Sequence, residues 1–147
     1  MPIAKWDDSF RTGHELVDKQ HQELFRMVNN LHDAIMAGKG KDILEPTLKE
    51  LAKYTIDHFR DEEKLMASIR YPQLVPHKKK HEELTGQVTQ LLEKFDAGKL
   101  VLSVTLSTFL ADWLRHHIKE DDVALINYLK VHPLKEETAI ASHECSR

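Results

Sequence analysis

The sequence predicts an all-α fold, an up-down-up-down four-helix bundle with an N-terminal arm and a short C-terminal tail. Leu, Ala, Lys and Glu are plentiful, and there are only five Gly and five Pro. Apolar residues recur at steps of three and four, and no stretch alternates as a half-buried strand would. The length of 147 residues is typical of one domain that buries a sizeable core. We therefore assign residues 1–147 to a single domain, with the bundle at about 18–130.

Glycine and proline mark the predicted helix boundaries in the first half of the chain. An arm precedes the first helix, and its Trp6 and Phe10 are expected to pack over one end of the bundle. The first helix is predicted over about 18–37, where the run Gly-Lys-Gly ends it. The second is predicted to begin near residue 42 or 45 and to end near residue 69, since Pro46 suits only a first turn.

The second half is divided in the same way. Tyr71-Pro72 separates the second helix from a third, which is predicted to begin at 74–76 and to end before Gly98. The fourth helix is predicted from about 102 to 130, with Ser103 as a candidate N-cap. The weakly patterned segment from 133 onward is interpreted as a tail or a short docking helix.

Charge and composition exclude several classes of protein. A formal net charge of -3 argues against nucleic acid or an acidic membrane surface as a partner. No apolar run resembles a secretory signal or is long enough to span a bilayer. The only cysteine is Cys145, so disulfides are not expected to hold the fold. We therefore expect a cytoplasmic protein that is a monomer.

Ten histidines are many for this length, and half of them occupy core positions. Within the helical stripes that otherwise hold Leu, Val and Ile, five imidazoles and one carboxylate appear. Burying such groups costs several kcal/mol unless a partner compensates them. The six residues are His21, His58, Glu62, His77, His81 and His117.

Residue counts from the three predicted turns place these six side chains within about one helical turn of a common layer. His58 and Glu62 are four residues apart, as are His77 and His81, so each pair lies on one face of its helix. A second carboxylate follows His117. Asp121 has the regular spacing of four, whereas Asp122 is five residues on and would need the helix to bulge.

A donor set rich in imidazole with some carboxylate favours iron over zinc or manganese. Five imidazoles and two carboxylates are too many for one zinc, which takes about four ligands. Two metals joined by both carboxylates and an oxide or hydroxide would leave roughly one coordination position open. An open position on ferrous iron in an apolar pocket is what dioxygen binding requires.

The side chains expected around the open position offer no proton, which favours reversible oxygen binding over turnover. This predicted ligand pocket consists of Phe25, Phe59, Trp113, Leu114 and Ile118.

Four strings carry a resemblance to a known family. DKQHQELF at 18–25, HFRDEE at 58–63, HKKKH at 77–81 and HHIKEDD at 116–122 resemble the hemerythrins, in particular the single-domain bacterial ones. The similarity covers roughly residues 3–130, and no ligand position departs from it. The resemblance implies a non-haem di-iron centre that binds dioxygen in an oxygen carrier, storage or delivery protein, and not in an enzyme.

The resemblance also assigns the ligands. It implies that one iron binds His77, His81 and His117 and that the other, where oxygen binds, has His21 and His58. Glu62 and Asp122 would bridge them together with an oxo or hydroxo group. The choice of Asp122 rests on the family pattern, and Asp121 is then interpreted as an exposed acid.

The sequence is compatible with three rival functions to a lesser degree. A di-iron oxidase or peroxidase of the ferritin type uses Glu-x-x-His pairs, which this sequence lacks. A zincin hydrolase needs a glutamate after the first histidine of its pair, whereas Lys78 follows His77. A structural or metal-storage bundle is the third. Sensing is the least expected role within oxygen binding, and an oxygen-consuming partner enzyme is compatible with the site.

Overall fold

The structure, a computed structural model, describes residues 3–98 and 102–132. Those residues form a bundle of four long helical stretches and contain no strand, which confirms the predicted all-α fold. A short 3-10 turn at Asp8–Phe10 precedes the first of them. The helices are α1 (Glu15–Met36), α2 (Lys41–Ser68), α3 (Leu74–Asp96), and α4 (Val104–His117) continued by a π-helical segment (Ile118–Asp122) and α5 (Val123–Val131).

Two helix starts differ from the prediction. α1 begins at Glu15, three residues early, because the ring nitrogen Nδ1 of His14 caps it by accepting the Val17 N–H at 3.3 Å. Histidine is not among the usual capping residues, so the sequence carried no signal for this. α2 begins at Lys41, which leaves Pro46 in the second turn. The fully buried Leu48 and the buried Leu44 of that segment anchor it to the core despite the missing donor.

Two apolar clusters fill the bundle, one on each side of a polar layer. The larger contains Leu31, Leu48 and Leu110 and extends to the α1–α2 and α3–α4 ends. The smaller lies beyond the polar layer and contains Val17, Met66, Tyr71, Leu125 and Ile126. Met66 of α2 is fully buried in this smaller cluster, whereas its neighbour Leu65 is half-buried against it.

The N-terminal arm lies along the side of the bundle, so the prediction that it covers one end was wrong. The Ala4 N–H donates to Asn29 Oδ1, and Asn29 Nδ2 donates to the Ala4 carbonyl, both at 2.8 Å. Arg115 donates to the Ile3 carbonyl. These hydrogen bonds align the arm between α1 and α4, where Trp6 and Phe10 pack edge-on or nearly so against Phe25 with ring centroids 5.3 and 5.0 Å away.

Among the residues that the structure describes, no helix combines the length and apolar character that crossing a bilayer requires. The predicted tail from residue 133 onward, including Cys145, lies outside the described residues.

Candidate metal centre

All seven predicted ligand side chains lie in one buried cluster, and none is more than 4 % exposed. α1 contributes one residue, α2 two, α3 two, α4 one, and the π-helical segment one. The members are His21, His58, Glu62, His77, His81, His117 and Asp122. The residue counts from the turns therefore placed six of these side chains at one height, and Asp122, which was chosen on the family resemblance, joins them.

The π-helical segment brings Asp122 into the cluster. In a regular α-helix, a residue five positions on would point about 140° away from His117. The wider turn over Ile118–Asp122 removes this offset, and Asp122 Oδ1 lies 3.2 Å from His117 Nε2. Asp121 was predicted to be an exposed acid, which is wrong. Its side chain is only 19 % exposed, and it accepts a hydrogen bond from the other nitrogen of the same ring.

The two buried carboxylates divide their oxygens between two groups of imidazoles. Glu62 Oε1 lies 3.1 Å from His81 Nε2 and 3.4 Å from His77 Nε2. Glu62 Oε2 lies 3.0 Å from His58 Nε2 and 3.5 Å from His21 Nε2. The donor atoms thus form two overlapping sets, a three-histidine group and a two-histidine group, that share the carboxylates.

Asp122 divides its oxygens in the same sense. Asp122 Oδ1 lies 3.1 Å from His77 Nε2, in the three-histidine group. Asp122 Oδ2 lies 2.8 Å from His21 Nε2, in the two-histidine group. Each carboxylate therefore presents one oxygen to each group, as an acid between two cations would.

The donor atoms fit metal ions by two tests. Seven ring nitrogens and carboxylate oxygens of the cluster that face its interior are buried with no hydrogen-bond partner within the described residues. Two neighbouring ligands about 2.1 Å from one metal are about 3.0 Å apart at a right angle. The Nε2 atoms of His81 and His117 are 3.0 Å apart, and most of the nitrogen–oxygen distances in the cluster are 2.8–3.5 Å.

The charges in the cluster compensate one another. Burial lowers the pKa of His21, but the adjacent carboxylates of Asp122 and Glu62 outweigh it and raise the pKa to about 9. The same causes raise the pKa of His77 to about 9. Burial raises the pKa of Glu62, but the charge of His58 and the nearby imidazoles of His117 and His21 lower it well below its ordinary value. Positive charge is therefore strongly favoured between these acids, whether protons or metal ions supply it.

The outer nitrogens of three imidazoles have partners that sequence reasoning missed. His81 Nδ1 lies 3.0 Å from Glu63 Oε2, and His117 Nδ1 lies 2.9 Å from Asp121 Oδ2. His58 Nδ1 lies 2.6 Å from the amide oxygen of Gln20. Each partner immediately precedes or follows a predicted ligand in the chain, and that adjacency is the only signal for it in the sequence.

An apolar cavity of about 30 Å³ adjoins the cluster on the side of the larger apolar cluster. Phe59, Trp113 and Leu114 of the predicted pocket line it. Phe59 stacks on His81 with ring centroids 3.8 Å apart and lies 6.1 Å from the His58 ring, so it adjoins both groups of imidazoles.

The other two predicted pocket residues do not line this cavity. Phe25 is buried against the aromatic rings of the arm, and Ile118 is fully buried in the same core. Thr55 lines the cavity although it was not predicted to, and its hydroxyl donates to the Leu51 carbonyl at 2.7 Å. The cavity therefore has an apolar wall whose one hydroxyl proton is already bonded to its own helix.

Five imidazoles and two carboxylates that converge from four helices define a metal-binding four-helix bundle. Comparison with known proteins gives the family. The family model described as the hemerythrin HHE cation binding domain matches residues 12–129, and this chain belongs to that family.

Relatives and a solved structure agree with this assignment. The chain is 35 % identical over 136 residues to a bacteriohemerythrin of Pseudomonas aeruginosa, covering 92 % of this chain and 87 % of that one. It is 34 % identical over 132 residues to a bacteriohemerythrin of Stenotrophomonas maltophilia, covering 90 % and 85 %. A solved hemerythrin structure superposes with a TM-score of 0.78 at 33 % identity, covering 82 % of this chain and 92 % of that one.

Proposed function

We propose that this chain binds dioxygen reversibly at a non-haem di-iron centre. The observation that carries the proposal is the division of each buried carboxylate between two groups of imidazoles. Such a division suits two cations, each of which receives one oxygen from Glu62 and one from Asp122. A purely structural core would not require it. Membership of the hemerythrin family supports iron as the metal.

The proposed ligands are those of the two donor sets. His77, His81 and His117 would hold one iron and His21 and His58 the other, with Glu62 and Asp122 as the carboxylates that both groups share. Ferrous iron at such a centre supplies the electrons with which dioxygen is bound. The chain supplies the fixed ligand geometry and a buried position from which water is largely excluded.

The residues around the cavity favour release of oxygen over its chemical conversion. A space of about 30 Å³ accommodates a small apolar gas. Leu114 and Phe59 contribute only hydrocarbon to its wall, and the Thr55 proton is held by the Leu51 carbonyl. A general acid within reach would promote irreversible reduction of bound oxygen, and the cavity lining provides none. This supports an oxygen carrier, storage or delivery protein. We further propose that it acts in the cytoplasm as a monomer and supplies an oxygen-consuming enzyme.

The test is an oxygen titration of the iron-loaded full chain together with its iron content. We expect two irons per chain, a nearly colourless ferrous form, colour on oxygenation and bleaching under vacuum. Irreversible oxidation with turnover of a reductant would instead indicate the di-iron oxidase or peroxidase alternative. A normally folded, aerobically purified protein with less than about one transition metal per chain would overturn the proposal.

A further inference from the structure

The two groups of imidazoles differ in what holds their outer nitrogens. In the three-histidine group, His81 and His117 each face a carboxylate, from Glu63 and Asp121 respectively. In the two-histidine group, His58 faces the neutral amide oxygen of Gln20. His21 Nδ1 is buried with no hydrogen-bond partner among the described residues.

The partners determine where each ring carries its hydrogen. A carboxylate only accepts hydrogen bonds, so the hydrogens of neutral His81 and His117 are on Nδ1, and their Nε2 lone pairs point into the cluster. Gln20 is oriented by Asp61, because its Nε2 donates to Asp61 Oδ2 at 3.0 Å. The Gln20 oxygen must then face His58, which fixes the same tautomer.

The partners differ in charge although they fix the same tautomer. A carboxylate that accepts the Nδ1–H makes the opposite nitrogen a stronger donor to a metal than an amide does. Asp121 also accepts from Lys80 Nζ, with its two oxygens 2.8 and 3.0 Å away. Lys80 therefore withdraws part of the negative charge that Asp121 presents to His117.

We propose that Glu63 and Asp121 are positioning residues that make the three-histidine position the tighter of the two metal positions, and that Lys80 weakens the contribution of Asp121. This inference rests on the proposed function, because it concerns the same centre. It assigns the two irons different affinities, so that the iron of the two-histidine group is lost first.

The experiment is an equilibrium competition in which a chelator removes iron from the loaded, full-length protein under anaerobic conditions. We expect two steps of one iron each. Asp121→Asn lowers the chelator concentration at the midpoint of the second step about tenfold or more, and Glu63→Gln shifts it the same way. Lys80→Met raises that midpoint several-fold. Gln20→Leu lowers the midpoint of the first step and leaves the second in place.

The midpoint shifts in opposite directions in Asp121→Asn and Lys80→Met, and this difference distinguishes electrostatic positioning from a purely structural role. Lys80→Met removes the link between α3 and the π-helical segment, and Asp121→Asn weakens it because the amide has one acceptor oxygen and no charge. A purely structural role would therefore shift the midpoint in the same direction in both variants. The reduction potential of the centre gives a second readout, which rises in Asp121→Asn and falls in Lys80→Met. Lys79→Met, on the exposed neighbouring residue, is the matched control and leaves both readouts unchanged.

Shifts of equal sign in the two variants, or a single step for both irons, would overturn the inference. A wild-type chain that still holds two irons and colours reversibly with oxygen would leave the proposed function standing in that case. A chain that holds no iron would overturn both.

Discussion

The polar layer and the larger apolar cluster are equally buried but are stabilised in different ways. Around Leu31 and Leu48, side chains with no measurable exposure contact other hydrocarbon, and the stabilisation is spread over many weak contacts. Around Glu62 and Asp122, side chains at most 2 % exposed are charged and lack hydrogen-bond partners within the described residues. The stability of that layer therefore depends on a few cations.

The comparison predicts a sharp difference in how the two regions respond to damage. In the apolar region, one truncation leaves most contacts in place. In the polar layer, loss of one shared ligand leaves several buried groups without compensation. The predictions below run from the largest expected effect to the smallest.

Glu62→Ala should abolish binding of both irons, because Glu62 presents one carboxylate oxygen to each group of imidazoles. The remaining donors would be buried unpaired, so the variant should also unfold at a much lower temperature. Iron content and thermal unfolding by circular dichroism are the measurements. Glu50→Ala, at an exposed position of the same helix, is the control and should retain two irons. Retention of iron by Glu62→Ala would contradict a bridging role.

Removal of iron by a chelator should destabilise the wild-type chain. Metal that binds only the folded state contributes about 4 kcal/mol when free metal is a thousandfold above its dissociation constant. Urea unfolding of loaded and stripped protein measures the difference. The same treatment should leave the stability of Glu62→Ala unchanged, since that variant has no iron to lose. Equal stability of the loaded and stripped wild type would show that the layer does not depend on cations.

Leu31→Ala should reduce the free energy of unfolding by about 2–5 kcal/mol, because it opens a cavity at a fully buried position. The variant should nevertheless bind two irons, since Leu31 belongs to the apolar region. Chemical denaturation and iron analysis of the same sample test both statements. Loss of iron in this variant would mean that the two regions are not energetically separable.

Leu114→Ala should retain both irons and change the rate of oxygen release or of oxidation by several-fold at most, because Leu114 lines the cavity beside the cluster. Stopped-flow and autoxidation measurements are the readouts. Leu31→Ala does not touch that cavity and serves as the control, with unchanged rates. Unaltered kinetics in Leu114→Ala would remove this residue from the oxygen pocket.

Periodicity placed the ligands well because they sit at positions of a regular helical stripe. The apolar stripes are evident in the sequence, and some of their positions are occupied by His21, His58 and His81 in place of Leu or Val. Residue counts from the turns then put these histidines at the same height. Asp122 could not be chosen in this way. Its approach to His117 depends on a π-helical turn in the backbone, and the family resemblance was needed to prefer it to Asp121.

The features that were missed depend on side-chain hydrogen bonds between distant segments. The arm is located by Asn29 and Arg115, whose partners are main-chain atoms with no sequence pattern. Glu63 and Gln20 look like ordinary polar neighbours of ligands, and only the tertiary structure brings them to imidazole nitrogens. Partner geometry of this kind is not encoded in the spacing of apolar residues.

The π-helical segment (Ile118–Asp122) adds one residue to a helical turn, and it thereby rotates all later side chains of the fourth helical stretch around the helix axis. Beyond Asp122, each side chain points about 100° away from the direction that an unbroken α-helix would give it. That rotation brings Ile126 into the small cluster with Tyr71 and Met66. Straightening residues 118–122 into a regular α-helix without removing a residue would therefore turn the acid and this end of the bundle away together. The position of Asp122 and the packing of Ile126 thus depend on the same π-helical segment.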